Sequence, residues 1–121
     1  MANQSRDLDH VFGALSDATR RAIVMRLCDG EASVGELAKP FDMALPSLMK
    51  HIRVLEDSGL VVSEKTGRVR TCALRTQTLA TVELWLAAQR EIWEHRLDRL
   101  EMYVEKLKQE EKSNARKRKS R

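Results

Sequence analysis

Two groups of side chains in this sequence carry usable chemistry. Ser47, Leu48, Lys50, His51 and Arg53 fall close together, and Lys65, Arg68 and Arg70 follow a short way on. The first group mixes hydroxyl, imidazole and cationic functions, the types that hydrogen-bond to base edges. The second supplies cations, the type that pairs with phosphates. Residues 43–76 hold six basic and three acidic side chains, +3, inside a stretch 1–107 that is −1 overall. The remaining charge lies at the end of the chain, where residues 108–121 carry seven basic groups against Glu110 and Glu111. The net charge of +4 therefore belongs to the tail. Nucleic-acid binding argued from it would rest on the tail alone, whereas the local excess in 43–76 is a matter of position.

The elements that must position these groups follow from periodicity. Leu8, Val11, Phe12 and Leu15 recur three and four apart and predict a first helix. Ser16 is a suitable N-cap for a second, with Asp17 in its first turn, Ala22, Ile23, Met25 and Leu27 as its buried set, and Asp29-Gly30 as its stop. Arg20, Arg21 and Arg26 should then face solvent or a partner. Ser33 opens a short third helix with Val34, Leu37 and Ala38 apolar, ended by Pro40. A fourth begins near Pro46, is periodic in Leu48, Met49, Ile52 and Leu55, and ends at Ser58-Gly59. Two short helices, a turn and a helix closed by Gly form a helix-turn-helix layout. Leu60–Glu64 and Val69–Leu74 are β-like and flank a turn at Lys65–Arg68, a two-stranded hairpin. A long helix without Gly or Pro runs from about Thr78 to Lys108. The fold expected is mainly α with a β-hairpin: a winged helix-turn-helix of about five helices plus a two-stranded wing. Within it the front of the fourth helix would enter a major groove, and Lys65, Arg68 and Arg70 on the wing would reach phosphates or an adjacent groove.

Leu15-Ser16-Asp17-Ala18-Thr19-Arg20-Arg21-Ala22-Ile23 resembles the opening motif of the ArsR/SmtB family of bacterial winged-helix repressors. Pro46 to Val61, with Ser47, Lys50-His51-Ile52, Leu55 and Ser58-Gly59-Leu60-Val61, is similar to that family's recognition-helix pattern, and Gly67-Arg68 matches its wing turn. Trp93 to Leu100 resembles a subgroup without the metal ligands. The resemblance spans residues 8–107. It implies a dimeric repressor that binds an imperfect inverted repeat in double-stranded DNA, with first and last helices paired between subunits.

The family's metal sites are not matched. Where a thiolate site needs Cys-x-Cys, the chain reads Ser33-Val34-Gly35-Glu36-Leu37. The last helix holds one histidine, His95, four residues from Glu91, which fits a solvated i,i+4 pair better than a ligand set. No metal and no cofactor is expected. Cys28 reads as a buried structural thiol at a helix end, and Cys72 as a hairpin residue too far from it for a disulfide.

The last helix carries an apolar seam. Leu79, Leu86, Trp93, Leu100 and Leu107 are seven apart, with Leu97 and Val104 between them, and Val82, Trp85, Ala88 and Ile92 form a second stripe. A chain of 121 residues offers one core, so one stripe should meet a second subunit. The dimerisation set is Leu8, Val11, Phe12, Leu86, Trp93, Leu97, Leu100, Val104 and Leu107. The domain boundaries read as a frayed 1–7, a DNA-binding and dimerisation domain over 8–108, and a disordered basic tail over 109–121. No signal segment and no membrane span is apparent, and a cytoplasmic setting with reduced thiols is expected. No nucleophile motif or phosphate loop appears, so the chain is not expected to be an enzyme. The leading reading is a transcriptional repressor, released by an effector or partner. Two alternatives stay open: a winged-helix protein-interaction module, and a nonspecific nucleic-acid binder driven by the tail.

Overall fold

A computed structural model describes residues 2–119. In order it contains α1 (Ala2–Leu15), α2 (Ala18–Leu27), β1 (Ala32–Ser33), α3 (Val34–Ala38), α4 (Leu45–Asp57), β2 (Val61–Thr66), β3 (Val69–Leu74) and α5 (Thr76–Lys119). The strands form one antiparallel sheet in the order β1-β3-β2. The architecture is the winged helix-turn-helix expected, with one added strand. β1 pairs Ala32 with Cys72 and Ser33 with Thr71, which makes the wing sheet three-stranded. Two residues are too few to leave a period in the sequence, and only their partner on β3 defines them as a strand.

The core is aliphatic. Leu48, Ile52 and Leu55 of α4 are fully buried, and Ile23, Leu37, Leu60 and Val61 pack in the same cluster. Burial on α4 recurs at i, i+4 and i+7, one face of a helix. α2 shows why Met25 was misplaced in the expected core. Ile23 and Leu27 share a face and are buried, whereas Met25, two residues from each, points away and is 72% exposed. Cys28, just past that helix, is likewise exposed and not the buried thiol expected, while Cys72 is buried. Burial pushes the Cys72 thiol up, with the Glu56 carboxylate adding to it.

The helix ends explain the local sequence. Asp17, and not Ser16, caps α2: its backbone is extended and its carboxylate accepts from the Arg20 N–H at 3.1 Å. The Ser16 hydroxyl is used elsewhere, donating to the Gly13 carbonyl at 2.6 Å. That Arg20 N–H bond, reinforced by the Arg20 guanidinium and by His51, holds the Asp17 carboxyl below its ordinary range. α4 closes with the Leu60 N–H on the Leu55 carbonyl (3.1 Å) and the Gly59 N–H on Glu56 (3.0 Å), around Gly59 at φ 84°. This is a Schellman closure, whose left-handed residue favours glycine. The Gly67-Arg68 loop between β2 and β3 has φ 64° at Gly67, the position where a two-residue hairpin turn wants glycine.

The chain divides after Val82 into two compact units. α1 already begins at Ala2, within the segment read as frayed, and α5 continues past Lys108 to Lys119, where a disordered tail was expected. The segment 109–119 is built from Gln, Glu, Lys, Ala and Arg with one Ser and one Asn, mostly good helix formers, and contains no Gly or Pro to stop a helix. Among the described residues no helix is long and apolar enough to cross a membrane.

Candidate nucleic-acid interface

α4 presents two faces. One is the buried set just described. The other carries Ser47, Lys50 and Val54, all exposed, with Arg53 beside them and His51 at the edge. Leu48 does not belong with these residues. It is 0% exposed and sits in the core, so it is not the base-edge contact expected. Its position, one residue from Ser47, rotates it 100° around the helix toward Ile52 and Leu55. Val54 was missed. It lies seven residues after Ser47, two turns along the same face, and is an exposed apolar group of the type that meets a thymine methyl.

His51 is held from behind. Its Nδ1 lies 3.2 Å from Nη1 of Arg20, and 3.8 Å from the Asp17 carboxylate. Arg20, expected to face solvent or a partner, is engaged within the chain. Its Nε donates to the Ala14 carbonyl at 2.7 Å and its Nη2 to Gly13 at 3.2 Å, while Arg21 donates to Leu15 at 2.8 Å. The two arginines thus satisfy carbonyls that the end of α1 leaves without intrahelical partners. No feature of sequence spacing connects residue 20 to residue 51.

The wing places its cations unequally. Lys65 and Arg68 are exposed at the hairpin end. Arg70 is half-buried: its Nη1 donates to the Ser63 hydroxyl at 2.8 Å, and Ser63 donates to Glu56 at 3.0 Å. Its register partner is Lys65, so both project from the sheet face that carries Cys72. Between the start of α4 and the wing lies an open groove of about 450 Å³, edged by Lys65, Arg68 and Arg70 and floored by Val34, Leu45 and Met49. Among the described residues no acidic side chain lines it. An exposed helix face with hydroxyl, ammonium and imidazole groups, flanked by a cationic hairpin, can engage base edges and phosphates together.

Among the described residues no three His, Cys, Asp or Glu side chains converge as a metal set would. Glu91 and His95 face each other at 3.8 Å on an exposed part of α5, a solvated pair. The residues expected at a dimer interface differ in exposure. Leu8 packs against the core and Val11 is buried within it, whereas Phe12 is exposed. On α5, Leu86, Trp93, Leu97, Leu100, Val104 and Leu107 are all exposed, between 41% and 62%.

Residues 15–64 match a helix-turn-helix domain family. Over 77 residues the chain is 39% identical to an HTH-type transcriptional regulator of Mycobacterium tuberculosis, a match spanning 64% of this chain and 72% of the relative. It is 29% identical over 79 residues to the transcriptional repressor SdpR of Bacillus subtilis, spanning 65% and 88%. The crystal structure of an ArsR family transcriptional regulator superposes with a TM-score of 0.72 at 58% identity, covering 74% of this chain and 93% of that one.

Proposed function

Because the chain belongs to the ArsR family of helix-turn-helix transcriptional regulators, we propose that it represses transcription by binding an inverted-repeat operator as a homodimer. The observation that carries this reading is the outward face of α4 beside the cationic wing. Ser47, Lys50 and His51 read base edges, Arg53 and Val54 flank them, and Lys65 and Arg68 neutralise phosphates. Arg70 supports the wing through Ser63 and adds its charge to the groove. Two copies related by a two-fold axis would set their recognition helices about 34 Å apart, one turn of DNA. The apolar stripe of α5 supports the second copy, since six large side chains exposed on one helix exceed what a solitary surface helix carries without a partner. Release is then conformational: an effector or partner that prefers a different separation of the two recognition helices weakens operator binding.

The test is selection of duplexes from a random-sequence pool with the full chain, followed by affinity measurements on the selected and a scrambled duplex at several salt concentrations. The expected result is a two-fold-symmetric motif. Ser47→Ala should lower affinity for the selected duplex by roughly 1–3 kcal/mol with little effect on the scrambled one, and Arg68→Ala should weaken both and reduce the salt slope by about one. An enriched pool without symmetry, or equal affinity for both duplexes in the parent chain, refutes the reading.

A further inference from the structure

Arg20 spreads one planar guanidinium across three elements. From α2 it donates to two carbonyls at the end of α1 and lies 3.2 Å from the His51 ring nitrogen Nδ1 on α4. A guanidinium has only N–H donors and does not give up its proton in proteins. Nδ1 must therefore accept, which leaves the ring proton of neutral His51 on Nε2. Asp17 is the competing group, since a carboxylate beside Nδ1 would favour a proton there. It stands 3.8 Å away, beyond hydrogen-bond reach, and already accepts from the Arg20 backbone at 3.1 Å. The closer guanidinium decides the tautomer. Nε2 lies on the other side of the ring. Among the described residues no group accepts from it and no buried side-chain nitrogen or oxygen is left without a partner, so Nε2 is open to solvent.

We propose that Arg20 is a positioning residue for DNA reading, holding His51 in the Nε2–H form so that the recognition helix offers DNA a hydrogen-bond donor at this position. This rests on the reading of α4 as the DNA-contacting helix. The partner is then an acceptor: a purine N7 or guanine O6 on a base edge, or a phosphate oxygen. The same guanidinium grips the end of α1, so a shift of that helix moves the group that orients His51.

The experiment uses the full chain, the selected duplex and the scrambled duplex. Nitrogen-15 spectra of the wild-type imidazole at about pH 8, where histidine is ordinarily neutral, should show Nδ1 bare and Nε2 protonated. His51→Gln places an amide donor near the Nε2 position and should bind within about threefold of wild type, whereas His51→Asn and His51→Ala should lose roughly tenfold. Arg20→Met should lose a similar factor alone and less than about twofold more when added to His51→Ala, as coupled residues do. Loss confined to the selected duplex identifies a base-edge acceptor, and equal loss on both identifies phosphate. A proton found on Nδ1, equal binding by the Gln and Asn variants, or an Arg20→Met loss undiminished in the His51→Ala background overturns the proposal. If His51→Ala changes nothing while Ser47→Ala and Lys50→Ala reduce binding to the selected duplex, the role of Arg20 is refuted and α4 still reads DNA. If none of the three matters, the reading of α4 itself fails. The spectrum of the wild-type chain needs no variant, so misfolding of Arg20→Met would not shield the tautomer assignment.

Discussion

Ser47 and Leu48 are adjacent, and their replacement by alanine should produce opposite phenotypes. Leu48 is 0% exposed and packs in the core cluster with Ile52 and Leu55. Truncating a wholly buried leucine removes its transfer free energy and leaves a cavity, a cost of about 2–5 kcal/mol. α4 packs against α1, α2, α3 and β2, so the site has several walls and little freedom to collapse. A cost near the middle of that range, about 3 kcal/mol, would take a large part of the roughly 5–15 kcal/mol that a domain has in total. It corresponds to a fall in Tm of roughly 10–25 °C for a unit of this size. Ser47 is exposed and makes no hydrogen bond to another described side chain, so Ser47→Ala should leave Tm nearly unchanged. The assay is thermal unfolding at fixed protein concentration together with duplex affinity at a temperature where both variants are folded. Leu48→Ala should keep the ratio of selected to scrambled affinity, and Ser47→Ala should reduce that ratio. If Leu48→Ala keeps its Tm and loses the ratio, its side chain faces DNA and the assignment of the two faces of α4 is wrong.

Three further outcomes follow from other parts of the molecule. Leu100→Asp puts a charge in the α5 stripe and should yield monomers by sedimentation, with weakened binding to the selected duplex; an intact dimer moves the interface elsewhere. A thiol reagent should label Cys28 in the folded chain at neutral pH and reach Cys72 only on unfolding, because one is exposed and the other is buried with its thiol pushed up; mass spectrometry of singly labelled protein decides this. The Asp17 carboxyl is held below its ordinary value of 3.8 in the folded chain, so the folded state binds fewer protons than the unfolded one in that range. The stability it contributes is present above about pH 4 and is lost as pH falls through the depressed value. The Tm advantage of the wild type over Asp17→Ala should therefore shrink on acidification, and an advantage independent of pH down to about pH 2 would contradict the capping role.

Much of the fold was legible in local patterns because helices and hairpins are written at short range. Ser33 capping α3, Pro46 at the start of α4, Gly59 at its close and Gly67 in the hairpin turn each act within four residues, and each stands where the sequence alone put it. The basic excess of 43–76 and the seven-residue apolar spacing of α5 were equally readable, since charge and period are properties of the chain. Tertiary packing decided the rest. On α4 it decided between two readings of Leu48 that the sequence left side by side, as a member of the apolar period and as a DNA contact, by burying it while Val54 stays exposed. It made a strand of Ala32 and Ser33 by supplying β3 as a partner. It turned Arg70 inward onto Ser63, and it brought Arg20 across thirty-one positions of sequence to His51. These are contacts between elements distant in sequence, and no residue's type or local spacing encodes them. A side chain's role at this interface depends on which partner reaches it first, and that is set only when the helices pack.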